Sequence, residues 1–146
     1  MAERKNVTGV HLWLVLWRAA NALETRALAH IGTLNMCISD FAVLELLLHK
    51  GVTPVNTIAR KVLLTSGSIT PAVDRLVKRG FAERKNDPGD RRVRLVRLTA
   101  NGRRLIVKAF KEHEKVMERA ATSLNQTERA ALIRLLKKLG RSEAPK

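Results

Sequence analysis

The spacing of apolar residues changes at Gly80, and this change limits the folds open to the chain. Before it, two short segments have helical spacing and are separated by only a few residues. After it, two β-prone runs, 81–85 (FAERK) and 93–98 (VRLVRL), flank the turn-forming residues 86–90 (NDPGD). Two short helices joined by a tight turn are typical of a helix-turn-helix, and the later pattern is typical of a β-hairpin. The middle of the chain is therefore predicted to be a helix-turn-helix followed by a hairpin wing.

The two helices of this module begin at residues suited to helix starts. Thr53 is a preferred N-cap, and Pro54 fits the first helical position because its missing N–H would have no partner there. The second helix is predicted at about residues 66–79, after a tight turn. If it begins at Ser66, Pro71 removes one backbone hydrogen bond inside it, so an irregular start is expected.

Long amphipathic segments flank the module on both sides. A second helix of the chain is predicted to start at the cap Ser39, and two later helices start at Thr99 and at the capping box of Asn125. Their apolar faces cannot all be buried within one small chain, so a homodimer with two-fold symmetry is predicted. The alternative is a monomer whose terminal helices pack on their own core.

The predicted fold class is mainly α with a small β-hairpin wing (α+β). Residues 1–146 form a single domain, and residues 39–99 are its winged helix-turn-helix, with the wing at 81–98. Residues 7–31 and 100–140 are predicted to form the dimerisation region.

The chain is strongly basic, with 28 Lys and Arg against 13 Asp and Glu and a net charge of +15. Such a charge favours a polyanionic partner, because each phosphate neutralised by Lys or Arg releases condensed counterions. An anionic membrane surface is the second candidate, although no stretch is long and apolar enough to span a bilayer. Aromatic residues make up only 3% of the chain, which argues against base stacking on single strands. Double-stranded DNA is the predicted partner.

The exposed start of the second helix of the module is the candidate for reading base edges in the major groove. Small hydroxyls can bind bases and phosphates, and Pro71 or Ala72 can contact a thymine methyl group. Ser66 has an alternative role as the helix cap, whereas a cap at Ser68 or Thr70 would place Pro71 harmlessly in the first turn. The candidate DNA contacts in this segment are Thr65, Ser66, Ser68, Thr70 and Pro71.

Basic side chains supply the remaining candidate DNA contacts. Arg75 is a candidate phosphate clamp one turn after Pro71, with pairing to Asp74 as the alternative. In the wing, arginines can enter the negative potential of a minor groove. Asp87 or Asp90 can hold one of their guanidinium groups, or these acids can simply build the turn. The wing candidates are Asp87, Arg91, Arg92 and Arg94.

Four segments together resemble the MarR family of winged helix-turn-helix transcriptional regulators: 64–70 (LTSGSIT), 73–80 (VDRLVKRG), 87–92 (DPGDRR) and 98–102 (LTANG). The resemblance implies a dimer whose two modules bind adjacent half-sites of a pseudo-palindromic duplex operator, often as a repressor. It also implies release from DNA by a small phenolic or other aromatic effector, or by thiol oxidation.

The wing of this chain departs from the family pattern at one position. Asp87 and Arg92 match the family's acidic and final basic wing residues, but Gly89 stands where one version has an arginine. The resemblance therefore leaves open whether Arg91 or Arg92 reaches the minor groove.

Cys37 is the single cysteine, so it cannot form an internal disulfide, and no cysteine or histidine cluster has metal-ligand spacing. A cytoplasmic protein without metal or resident cofactor is the prediction. Cys37 is a redox candidate, but the resemblance places the reactive cysteine of peroxide sensors in the first helix. A buried, inert thiol is therefore the preferred interpretation.

An effector cavity near the dimerisation helices is a further hypothesis. Its candidate lining residues are His11, Trp13, Trp17, His30 and His113. Core or interface packing is the preferred role of each tryptophan, and a structural role is preferred for each histidine.

Catalysis has little support in the sequence, which has no nucleophile motif, glycine-rich phosphate loop or paired carboxylates. The chain is predicted to be a sequence-specific DNA-binding regulator and not an enzyme. The alternative is a non-specific basic architectural or RNA-binding protein, which a specificity ratio would distinguish.

Overall fold

The computed structural model describes residues 7–62 and 66–141, without the side chain of Ser66. Over these ranges the chain forms helices around a small antiparallel sheet, which confirms the predicted fold class. The elements are α1 Gly9–Gly32, α2 Ile38–Lys50, β1 Thr53–Pro54, α3 Val55–Lys61, α4 Ser66–Lys78, β2 Ala82–Asn86, β3 Arg94–Leu98, α5 Ala100–Ala120 and α6 Gln126–Gly140.

The sheet has three strands in the order β1-β3-β2, and the predicted hairpin supplies two of them. In the hairpin, Arg84 of β2 lies opposite Val96 of β3. On the other side of β3, Val96 pairs with Thr53. The prediction that Thr53 caps α3 is therefore wrong: Pro54 has extended backbone and is itself the N-cap. Proline is tolerated in β1 because this strand forms the edge of the sheet.

The start of α2 also differs from the prediction. Its N-cap is Cys37, two residues before the predicted cap Ser39, and Cys37 is exposed. The expected burial of this thiol is wrong, because the residue lies at the open end of a helix and not on its apolar face. Helix α2 ends at Gly51, which has a positive φ of 74° that glycine adopts without strain.

Helix α4 begins at the earliest of the three starts considered, so Pro71 lies inside it. Proline has no N–H, and the carbonyl of Gly67 therefore lacks its usual helical donor. The helix ends in a Schellman arrangement in which Phe81 and Gly80 donate backbone N–H groups to Leu76 and Val77, at 2.9 and 3.0 Å. The predicted turn before α4, including Thr65, lies outside the described residues.

The core lies where α2, α4 and α5 meet the sheet. Apolar residues at helical spacing on α2 and α4 pack there, and α3 adds Ile58 and Ala59. The fully buried large side chains are Val43, Leu44, Leu47, Ile58, Ile69, Val73, Leu76, Val96 and Ile106. This core fixes α4 and the hairpin relative to each other.

The terminal helices leave apolar surface exposed. Helix α1 packs on α5, but Trp13 and Trp17 remain exposed and stack on each other with ring centroids 5.9 Å apart. Helix α6 buries no residue, and its Leu135 is 50% exposed, so the chain does not bury these faces on its own core. Over the described residues, no helix is both long enough and apolar enough to cross a membrane.

Candidate nucleic-acid interface

Helix α4 presents a polar face to solvent and an apolar face to the core. Ser68, Thr70 and Pro71 are exposed, while Ile69 and Ala72 are buried. The suggested contact between Ala72 and a thymine methyl group is therefore wrong, because Ala72 belongs to the core. Two further predicted contacts, Thr65 and the side chain of Ser66, lie outside the described parts of the chain.

Arg75 does not pair with its neighbour Asp74. Its Nη2 donates to Oδ1 of Asp40 in the first turn of α2 at 2.7 Å, and its Nε lies 3.1 Å from Oδ2. The hydrogen bond and charge of Asp40 raise the pKa of Arg75, so the guanidinium is held in its charged form. Asp74 instead forms an ion pair with Arg84 on β2. The ion pair at Arg84 joins α4 to the wing.

The two acids of the wing turn have different roles. Asp87 accepts the backbone N–H of Gly89 at 2.7 Å, which is the turn-building alternative. Asp90 accepts both the backbone N–H and the Nε–H of Arg92, at 3.0 and 3.3 Å. Asp90 thus holds the guanidinium group of Arg92 by one side-chain hydrogen bond. This hydrogen bond at Nε orients the side chain of Arg92.

The wing arginines differ in how far they extend. The side chain of Arg92 is 91% exposed, and Arg91 is also exposed at the turn. Arg94 lies flat on the hairpin, where its Nη1 donates to Oδ1 of Asn86 at 3.1 Å. Arg92 is therefore oriented and solvent-facing, and Arg94 is held on the strand.

A cleft of about 430 Å³ separates α4 from the wing. Thr70 of α4 lines it together with three arginines from the strands and turn of the wing. The sequence did not single out Arg84 or Asn56 as part of this site. Arg84 lies two residues before Asn86 on β2, so the two side chains share one face of the strand. The cleft is lined by Pro54, Val55, Asn56, Thr70, Arg84, Arg92, Val93 and Arg94.

Comparison with known proteins agrees with this arrangement. The MarR family model matches residues 38–93. The HTH-type transcriptional regulator MhqR of Bacillus subtilis (strain 168) is 36% identical to this chain over 129 residues, which cover 88% of this chain and 89% of the relative. The chain belongs to the MarR family. The resemblance seen in the sequence is thereby confirmed, and the function class is DNA-binding transcriptional regulation.

Solved structures of MarR-type regulators share the fold. A MarR variant from E. coli complexed with operator DNA aligns with a TM-score of 0.81 at 23% identity, covering 89% of this chain and 94% of that one. BpsR of Bordetella bronchiseptica, whose DNA binding is regulated by 6-hydroxynicotinic acid, aligns with a TM-score of 0.80 at 25% identity, covering 89% and 98%. The matched family and relatives are transcriptional regulators and not enzymes.

Of the predicted effector residues of this MarR-family chain, His30 and His113 meet within one chain, whereas His11 and Trp13 lie far from them along α1. His113 on α5 packs against Phe41 and His30, with ring centroids 4.9 and 5.3 Å apart. Trp13 lies seventeen residues before His30 on α1, or about 25 Å along the helix at 1.5 Å per residue. His11 lies farther still and is exposed. His30 and His113 were both predicted to line a cavity, but their contact with Phe41 was not predicted, because three separate helices bring these residues together.

Proposed function

We propose that this protein is a repressor that binds a pseudo-palindromic duplex operator, with α4 in the major groove and the β2–β3 wing at the adjacent minor groove. The observation that carries the proposal is the shared cleft, which Thr70 of α4 lines together with Arg92 and Arg94 of the wing. A helix and a cationic arm that line one cleft can bind a groove and its flanking phosphates together. Apart from Arg75, the DNA contacts predicted from the sequence keep their proposed places, those of α4 in the major groove and those of the wing at the minor groove.

The proposed active form is a homodimer. Its support is the apolar surface that α1, α5 and α6 leave open, including a groove of about 590 Å³ between them. Apolar faces of this extent usually mark a protein–protein interface. Leu23, Met117, Leu132 and Leu136 line this groove, and a second copy brings the same residues by symmetry.

We further propose a small aromatic or phenolic effector, no resident cofactor, no catalytic activity and a cytoplasmic location. The effector is supported by BpsR, whose DNA binding responds to an aromatic acid. Cytoplasmic location follows from the proposed operator, since chromosomal DNA is there in bacteria. A redox role for Cys37 stays a prediction.

Selection of bound duplexes from a random library tests the main proposal. We expect a palindromic consensus, and an affinity for it about 10³-fold or more above that for a scrambled duplex of equal length. The specificity arises because base-edge contacts of α4 add to phosphate contacts that both duplexes offer. A library that yields no consensus, with equal affinity for both duplexes, would instead support the non-specific architectural or RNA-binding alternative.

A further inference from the structure

Arg75 shares a side of α4 with the exposed residues but turns back into the protein. It lies four residues after Pro71 and seven after Ser68, a spacing that places the three on one helix face. Its guanidinium nevertheless contacts Asp40 of α2. The carboxylate of Asp40 is 4% exposed, whereas the side chain of Arg75 is 47% exposed. One end of the ion pair is thus inside the protein, and the other belongs to the helix proposed to read DNA.

We propose that Arg75 is a positioning residue, which fixes the orientation of α4 on α2 through Asp40 and does not itself bind a DNA phosphate. The proposal rests on the function proposed above and replaces the phosphate clamp expected from the sequence. Asp40, which sequence reasoning did not select, becomes its necessary partner.

The contacts of Arg75 use the Nε–Nη2 edge of the guanidinium, one of the two edges that can bind a phosphate. Nε and Nη2 form one planar fork, and both donate to the carboxylate of Asp40. The same Nη2 lies 3.4 Å from Oγ of Ser39 and 3.5 Å from Sγ of Cys37. The start of α2 therefore surrounds this edge with acceptors. Because Asp40 is buried, loss of Arg75 would leave an unpaired charge inside the protein.

Asp40 and Arg75 carry charges of opposite sign, so neutralising each one in turn distinguishes a positioning role from phosphate binding. Asp40→Asn makes the chain more positive, so electrostatics alone predicts equal or tighter DNA binding. A positioning role predicts the reverse: Asp40→Asn and Arg75→Gln each weaken operator binding by about tenfold or more, since either change removes the ion pair that sets the orientation of α4 on α2. The double variant is expected to lose no more than the worse single variant, because both remove the same contact.

Arg75→Lys provides the conservative variant. Lysine is a good point-charge partner for a phosphate but cannot reproduce the planar fork on a carboxylate. We expect Arg75→Lys to bind the operator as weakly as Arg75→Gln. The matched control is Lys78→Gln, which removes one positive charge from an exposed position one turn later on α4. It is expected to stay within about twofold of the wild type at the operator.

The measurement is affinity for the selected operator and for a scrambled duplex over a series of salt concentrations. Positioning predicts that Arg75→Gln lowers operator affinity while leaving scrambled-duplex affinity and the salt dependence of operator binding unchanged. A phosphate clamp predicts that both affinities fall, that the slope of log K against log salt decreases by about 0.9, and that Arg75→Lys restores binding. That second pattern, or unchanged operator binding by Asp40→Asn, would overturn the proposal.

A measurement without DNA keeps this proposal separate from the proposed function. The wild type, Asp40→Asn, Arg75→Gln and the double variant form a double-mutant cycle for unfolding in urea. We expect a non-zero coupling free energy between Asp40 and Arg75. If the wild type fails to discriminate the operator, the proposed function fails while the cycle still reports on the pair. A coupling indistinguishable from zero overturns the positioning role whatever the DNA result.

Discussion

His113 shows how one residue joins the dimerisation helices to the DNA-binding module. Its Nδ1 lies 3.2 Å from Nδ1 of His30 on α1, so one imidazole donates and the other accepts. Nε2 of His30 is buried and has no hydrogen-bond partner among the described residues, and Oε2 of Glu112 lies 3.8 Å away. The Nδ1–Nδ1 contact requires at least one neutral imidazole, because two protonated rings would bring two donors and two positive charges together.

Burial and the nearby His30 lower the pKa of His113, and Glu45 opposes this shift. The unfolded chain therefore binds a proton at a pH where the folded protein does not, and the free energy of unfolding falls as the pH decreases. This contribution is complete above the ordinary histidine pKa of 6.5 and is lost progressively below it. We predict that urea unfolding between pH 7.5 and 5.5 shows a smaller loss for His113→Asn than for the wild type. Parallel curves for the two proteins would contradict the assignment.

At the scale of elements, the wing is attached to α5 by a close backbone approach at Gly102. The side chain of Thr99 caps α5 by accepting the N–H of Gly102 at 3.0 Å and donates to the carbonyl of Gly80 at 2.5 Å. A Cβ placed on Gly102 would lie only 1.8 Å from the carbonyl oxygen of Phe81. Glycine is therefore required here by the distance between two backbones, and not by its φ angle.

We predict that Gly102→Ala lowers the free energy of unfolding by about 1–3 kcal/mol, because the added methyl group forces the wing away from α5. Alanine at an unobstructed helical position would instead stabilise by up to about 1 kcal/mol. Gly140→Ala is the control, since nothing lies within 4 Å of a Cβ built there. Chemical denaturation of the two variants measures both effects, and equal stabilities would contradict the close approach.

At the scale of the whole molecule, the proposed dimer determines the spacing of the DNA-binding modules. Two-fold symmetry presents two copies of α4, and successive major grooves on one face of DNA lie about 34 Å or 10 base pairs apart. The operator selected by this protein is therefore expected to have half-sites with about this separation.

A charge placed in the apolar groove is expected to separate the two subunits. We predict that Leu136→Asp converts the dimer to a monomer, because the new carboxylate would be buried without a partner in the interface. Operator affinity should fall with it, since the two half-sites no longer bind together. Lys138→Asp, which lines a different surface of α6, is the control. Light scattering measures the mass of each variant, and a dimer of unchanged stability in Leu136→Asp would exclude this face as the interface.

The sequence alone was sufficient to predict the features that depend on residues close together along the chain. The capping box at Asn125 is present as predicted, with Glu128 donating its backbone N–H at 2.9 Å. Thr99 caps α5, and residues 87–93 connect the two strands of the hairpin, where a turn was predicted at 86–90. Each of these features is decided by residues within a few positions of one another, so local pattern and propensity specify it.

The tertiary structure decided whatever joins distant parts of the chain. Asp40 and Arg75 are 35 residues apart, and His30 and His113 are 83 apart. Thr53 became part of a strand because β3 lay beside it, which outweighed a good local helix cap. The sequence by itself determined the helices and the hairpin, and that the module is basic. Which arginine faces solvent and which is held by a buried acid depended on packing, because that choice follows from how α2 and α4 meet in the core.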